Sequence, residues 1–163
     1  TAVKENLASL KNITLLTSPK KYANEDPKVL TDGALGGNSF YSNWLGFEGN
    51  DLSAVVDLDQ TKDIKSISIN FLQVTNHIVF FPEKVEFFYS DDNLNWKSLG
   101  NAFNKFELSP KSKVNDIQTF SIDLKNLNTR YIKIIADNMS KAPIWHHGAD
   151  LPSWIFADEL IIE

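Results

Sequence analysis

The chain has 163 residues, 42% of them apolar, with eleven Phe, four Tyr and four Trp, and a formal charge of -5. That length and content suit one domain around one core and exclude a disordered chain. The sixteen Lys and Arg are scattered, so nucleic acid lacks the basic stripe it demands, an anionic membrane surface is disfavoured, and no apolar run approaches the length that spans a bilayer.

The opening Thr1-Ala2-Val3-Lys4-Glu5-Asn6 has no apolar stretch and does not read as a signal peptide. The chain reads instead as a piece of a longer exported protein, with residues 1–9 a linker or the start of the module. Residues 30–51 follow as a long loop, with Asp32-Gly33, Gly36-Gly37 and Gly46 interleaved by Phe40, Tyr41, Trp44 and Phe47. Residues 52–58 read as a strand, closed by the turn chemistry of Asp59-Gln60-Thr61-Lys62-Asp63. Ile67, Ile69 and Phe71 then alternate with Ser66, Ser68 and Asn70, the period of a half-buried strand. Val85, Phe87 and Tyr89 alternate likewise, up to the turn at Ser90-Asp91-Asp92-Asn93. Phe120, Ile122 and Leu124 form a further strand before the turn Lys125-Asn126-Leu127-Asn128. Ile132, Ile134 and Ala136 belong to one that is apolar on both faces. Residues 138–154 are a second aromatic loop, holding Pro143, Trp145, His146, His147, Gly148, Pro152 and Trp154, and residues 154–162 a closing strand.

Short strands about ten residues apart, with scarcely any helical period, predict an all-β antiparallel sandwich or barrel. Long loops carried on such a frame are common binding places. With no Cys, disulfides, thiolate catalysis and cysteine metal sites drop out. Three His leave few zinc ligands, and His146 and His147, if extended, point to opposite sides. No Gly-x-Ser-x-Gly elbow or phosphate-cradling loop occurs, and clustered acids such as Asp91-Asp92 sit in turns, so no active site is expected.

Four segments carry a family resemblance. They are Leu30-Thr31-Asp32-Gly33; Trp44-Leu45-Gly46-Phe47-Glu48-Gly49-Asn50-Asp51-Leu52 with Val56-Asp57-Leu58; Phe71-Leu72-Gln73 leading to Phe80-Phe81-Pro82 and Val85; and Arg130-Tyr131-Ile132 with Pro143-Ile144-Trp145-His146-His147-Gly148-Ala149 and Trp154-Ile155-Phe156-Ala157-Asp158-Glu159. In them, over about residues 10–163, the chain resembles the F5/8 type C domain, also called discoidin-like and grouped with carbohydrate-binding module family 32. The version it resembles stands at the C-terminus of Bacteroidetes β-N-acetylhexosaminidases, or chitobiases. Two departures stand out: Ile78 where a Trp is expected, and Asp150 where a small residue is usual.

The resemblance implies an eight-stranded jelly-roll-like sandwich and a non-catalytic module of a secreted glycoside hydrolase, in an extracellular, periplasmic or outer-membrane setting. Its partners would be a glycan, with galactose or N-acetylhexosamine termini, and the catalytic domain of the same chain. It also implies one structural Ca²⁺ or Na⁺ held by Asp32, Ser42 and Glu159 with carbonyls such as that of Leu30; Asp32 capping a turn and Glu159 as a solvated carboxylate is the plainer reading. A pyranose offers an apolar face to an aromatic ring and a hydroxyl rim to polar groups. Trp44, Asn76, His77, Trp145, His146 and His147 are the candidates, with Phe47 and Trp154 of the right type; a place in the core is the alternative reading of each aromatic. The rival function is a structural module that packs on a neighbouring domain through the same aromatics.

Overall fold

A computed structural model of the chain describes residues 3–20, 25–38 and 43–163. Among these, seven strands form one continuous antiparallel sheet: β1 (Asn12–Leu15), β2 (Leu45–Glu48), β3 (Leu52–Val74), β4 (Lys84–Ser90), β5 (Lys97–Phe103), β6 (Asn115–Ala136) and β7 (Trp154–Ile162). The sheet folds on itself because β3 and β6 each run through both layers. In one layer the first part of β3 lies between β1 and the second part of β6, which pairs β4, which pairs β5. In the other, the second part of β3 lies between the first part of β6 and β7, which pairs β2. The result is an all-β sandwich.

The expected turns at 59–63 and 125–128 do not end their strands. Asp59 (φ 73°) and Asn126 (φ 55°) each make a left-handed excursion, but the two strands bend together and stay paired through Lys62–Thr129, Asp63–Asn128 and Ile64–Leu127. What reads as several short strands is therefore two long, bent ones. The register shift between Ile64 and Ser66 also moves the inward set of β3 from Leu52, Ala54, Val56 and Leu58 to Ile67, Ile69 and Phe71. There β3 advances two residues while β6 advances four, from Leu127 to Asp123, so the extra residues lie on β6. The loop expected over 30–51 is shorter than read, since β2 lies inside it with Leu45 and Phe47 wholly buried.

The two layers close on one core. Val56, Ile132, Ile134, Val85 and Phe87 from one meet Ile67, Ile69, Phe71, Phe120, Ile155 and Leu160 from the other. Phe71 and Phe120 sit edge to face, 5.5 Å apart at 86°. Each such side chain contributes about 1.5–3 kcal/mol on burial. Connections 49–51, 75–83, 104–114 and 137–153 all gather at one pole. At the other lie the 91–96 turn and the hydrogen bond from Leu7 N to Ile162 O (2.8 Å).

Candidate functional site

At the loop-bearing pole, β3 ends in a 3₁₀ turn, Thr75–His77, and Ile78 then takes φ 62°. Left-handed backbone at a β-branched residue costs about 1–2 kcal/mol, so the surroundings must hold it. They do: Trp154 N donates to Ile78 O (2.8 Å), Phe80 N donates to Trp154 O (3.0 Å), and Val74 and Val79 exchange hydrogen bonds of 2.9 and 3.1 Å. The Ile78 side chain lies against Gly148, where a Cβ would come within 2.7 Å of its Cδ1. Ile78, placed where a Trp was expected, thus belongs to the seam between two loops.

The second loop is pinned by Asn138, whose Nδ2 is shared among Phe47 O, Asn50 O and Ser153 O at 3.0–3.2 Å. Beyond it, residues 143–151 coil through successive turns: His146 N to Pro143 O, Ala149 N to His146 O, and Leu151 N to Gly148 O, each 3.0 Å. That coiling corrects two expectations. The segment is not extended, so the rings of His146 and His147 stack at 4.2 Å and 30° instead of diverging. His146 is also not a ligand contact. It is 7% exposed, its Nε2 lies 2.5 Å from Thr75 O, and its Nδ1 accepts from Gly148 N at 2.9 Å. A carbonyl only accepts and an amide N–H only donates, so the ring is neutral with its proton on Nε2. His146 joins the two loops, with Phe80 edge-on at 5.6 Å.

Trp44 is a third correction. It is wholly buried, packed with Leu72, Val74, Val79 and Phe156, and its Nε1 donates to Gly37 O at 3.0 Å. Its indole occupies the space above Gly36, so it fastens the turn at Gly36 and Gly37 to the sandwich and offers no face to a ligand. Phe47 is core, and Trp154 is half-buried, stacked on Phe156 at 5.3 Å and 5°. The remaining candidates lie exposed on the two loops that His146 joins. Asn76 and His77 are exposed on the turn that holds Thr75, His147 is exposed on the stack, and Trp145, 41% exposed, lies 5.9 Å from the His146 ring. Two neighbours had not been singled out: Ile144 (92% exposed) and Leu151 (53%). Each is an apolar residue beside a Pro in a polar loop, a signal that was present in the sequence. The patch has an aromatic plane, apolar flanks and polar groups. Among the described residues no group of three or more His, Asp or Glu is placed to hold a metal ion.

Along the flank formed by β7, Asp32 faces Glu159. Glu159 is buried; its Oε1 accepts from Gly33 N at 3.0 Å, and Asp32 hydrogen-bonds its side chain. Burial first, and then the facing Asp32, push the Glu159 carboxyl up to about 9. Asp32 also accepts from Ala34 N (2.9 Å) and from Asn43 Nδ2 (3.2 Å to each oxygen). Burial likewise raises the neighbouring Asp158, which accepts from Gly36 N at 3.0 Å. Two facing carboxyls beside a glycine-bearing turn are an all-oxygen donor set, the kind a hard cation takes. Ser42, the third expected ligand, lies outside the described residues.

Residues 13–155 match the family profile described as the F5/8 type C domain. Among solved structures, the chain is similar to a fucose binding module of Streptococcus pneumoniae, SpX-3, at 16% identity and TM-score 0.58, with 98% of each chain covered. It is similar to the lectin domain of lectinolysin complexed with Lewis B antigen, at 13% identity and TM-score 0.59, covering 98% of this chain and 96% of that one. The module CpGH89CBM32-4, produced by Clostridium perfringens and in complex with GlcNAc-α-1,4-galactose, is 15% identical at TM-score 0.60, over 100% of this chain and 96% of its own. At these identities the likeness is one of fold. A comparison with curated proteins finds no match.

Proposed function

The chain belongs to the F5/8 type C domain family, and from that premise we propose that it is a non-catalytic carbohydrate-binding module of a secreted glycoside hydrolase. One observation carries the reading: Trp145, Asn76, His77 and His147 are all exposed on two loops that the buried His146 joins and Asn138 pins. The indole covers the C–H face of a terminal pyranose while the Asn and His side chains bond to its hydroxyl rim. The structural neighbours complexed with Lewis B antigen and with GlcNAc-α-1,4-galactose support a glycan as ligand. The resemblance seen in the sequence favours galactose or N-acetylhexosamine termini and a β-N-acetylhexosaminidase as the parent. A shallow site binds weakly alone, and tethering to a catalytic domain raises its effective concentration at the glycan. Such a protein would work outside the cytoplasm or on the outer membrane.

The test is a glycan array followed by calorimetry on the full chain. Trp145→Ala should weaken binding by about 2 kcal/mol, roughly thirtyfold in Kd, with the melting temperature held. Unchanged affinity in that variant would overturn this assignment of the site. The apolar flanks Ile144 and Leu151 favour one rival, a face that docks on a neighbouring domain. On that reading no free sugar binds, and Trp145 is buried in the parent enzyme.

On the same proposal a structural Ca²⁺ or Na⁺ is held by Asp32, Glu159, Ser42 and the Leu30 carbonyl. The raised Glu159 and its facing Asp32 support it. A chelator should then lower the melting temperature by about 5–10 °C relative to a hundredfold excess of Ca²⁺ over its Kd. Glu159→Gln should remove that response; a wild-type melting temperature indifferent to chelator and Ca²⁺ sinks the metal.

A further inference from the structure

The chain is acidic overall, yet three of its lysines, Lys105, Lys111 and Lys113, stand around one cleft of about 430 Å³ at the loop-bearing pole. The cleft lies against segment 104–114, between β5 and β6. All three lysines are exposed, and among the described residues none forms an ion pair. Glu107 and Asp116 also face the cleft, so its net charge is +1 where the whole chain carries -5. Asp116 accepts its neighbour's Ile117 N at 2.9 Å.

The segment is held from within and from below. Buried Gln118 accepts from Lys105 N at 2.9 Å and donates to Asn104 Oδ1 at 2.8 Å. Buried Gln73, at the cleft floor, donates to Lys113 O at 3.1 Å. Ser109 and Ser112 bond to each other's backbone groups across the tip, at 2.9 and 3.0 Å. On the rim Phe106 tilts against Phe81 (6.4 Å, 36°) and leaves 53% of its surface to solvent. A second depression, of about 200 Å³, shares Gln73 and Leu108 with the cleft and continues it to Phe80, Phe81 and Met139. The Trp145 surface adjoins: Thr75 donates its N–H to Val114 O (2.9 Å), and its carbonyl holds His146.

A preorganised cleft with three unpaired ammoniums and an open aromatic rim offers an anion contact and an apolar plane together. We propose that it is a subsite for an acidic sugar residue, one carrying a carboxylate or a sulfate. The ring rests on Phe106 and the anion meets Lys105, Lys111 and Lys113. Neutral pyranoses satisfy the plane but leave the ammoniums without a partner.

The test is titration of the full chain with glucuronic acid, galactose 6-sulfate and galactose, at about 50 mM and about 300 mM salt. Both acidic sugars, or one of them, should bind about tenfold more tightly than galactose at low salt, and high salt should erase most of the difference. The comparison between carboxylate and sulfate identifies the anion. The triple variant Lys105→Gln, Lys111→Gln, Lys113→Gln should lose the preference at an unchanged melting temperature. Trp145→Ala should keep it, which separates failure of this subsite from failure of the Trp145 surface. Equal affinity for acidic and neutral sugars overturns the proposal. So does a preference that survives the triple substitution, or inorganic sulfate that competes as well as the sulfated sugar.

Discussion

Arg130 places Nε and Nη2 on the two oxygens of Asp57, at 2.8 and 3.0 Å, and so couples β6 to β3 where both begin to bend. The guanidinium, more than partial burial opposes it, holds the Asp57 carboxyl below its ordinary value. The stabilisation from a lowered carboxyl is present above its unfolded value, near 4, and fades as pH falls through the lower folded one. Asp57→Asn should therefore melt a few degrees below the parent at pH 7, and the gap should close in acid below about pH 4. A gap that persists undiminished in strong acid would show a packing effect instead. At this scale the sequence distinguishes residue types and leaves their orientation open. Trp44 and Trp145 both stand in loops rich in Gly or Pro, yet one is core and the other surface. What separates them is Gly36, which leaves room for the Trp44 ring, and no such recess receives Trp145. His146 and His147 are adjacent and differ for the same kind of reason, since the coil of 143–151 turns one inward onto Thr75.

Gly36 matters at the scale of elements because it sets how the turn of residues 32–37 lies on β7. A Cβ there would fall 2.2 Å from Trp44 Cε2, and Gly36 N also anchors to Asp158. Gly36→Ala should cost about 1–3 kcal/mol through overpacking, read as a lower urea midpoint at constant slope. A midpoint equal to the parent's would mean that the Trp44 ring moves aside freely. Strands announced themselves where one face is core: Ile67, Ile69 and Phe71 alternate with Ser66, Ser68 and Asn70, and the structure buries the first set. β2 did not, because Leu45–Glu48 is only four residues long and three of them are buried, leaving no alternation to see. The segments 59–63 and 125–128 show turn chemistry put to another use, with left-handed residues that bend two paired strands and leave them joined.

Over the whole molecule the sandwich was legible, since alternation and spacing follow from two faces, one wet and one dry. The gathering of loops 75–83, 104–114 and 137–153 at one pole was anticipated only in part. The lysines of 104–114 looked scattered along the chain because their meeting depends on a fold that a linear reading does not supply. β7 runs from that pole to the other, and there Asn6 and Leu7 meet its far end through Leu7 N and Ile162 O, and through Ile162 N and Asn6 Oδ1 (3.2 Å). A polypeptide joined at Glu163 leaves from the hemisphere opposite the loops. Flanking sequence at that end and a ligand held by the loops then start from opposite hemispheres.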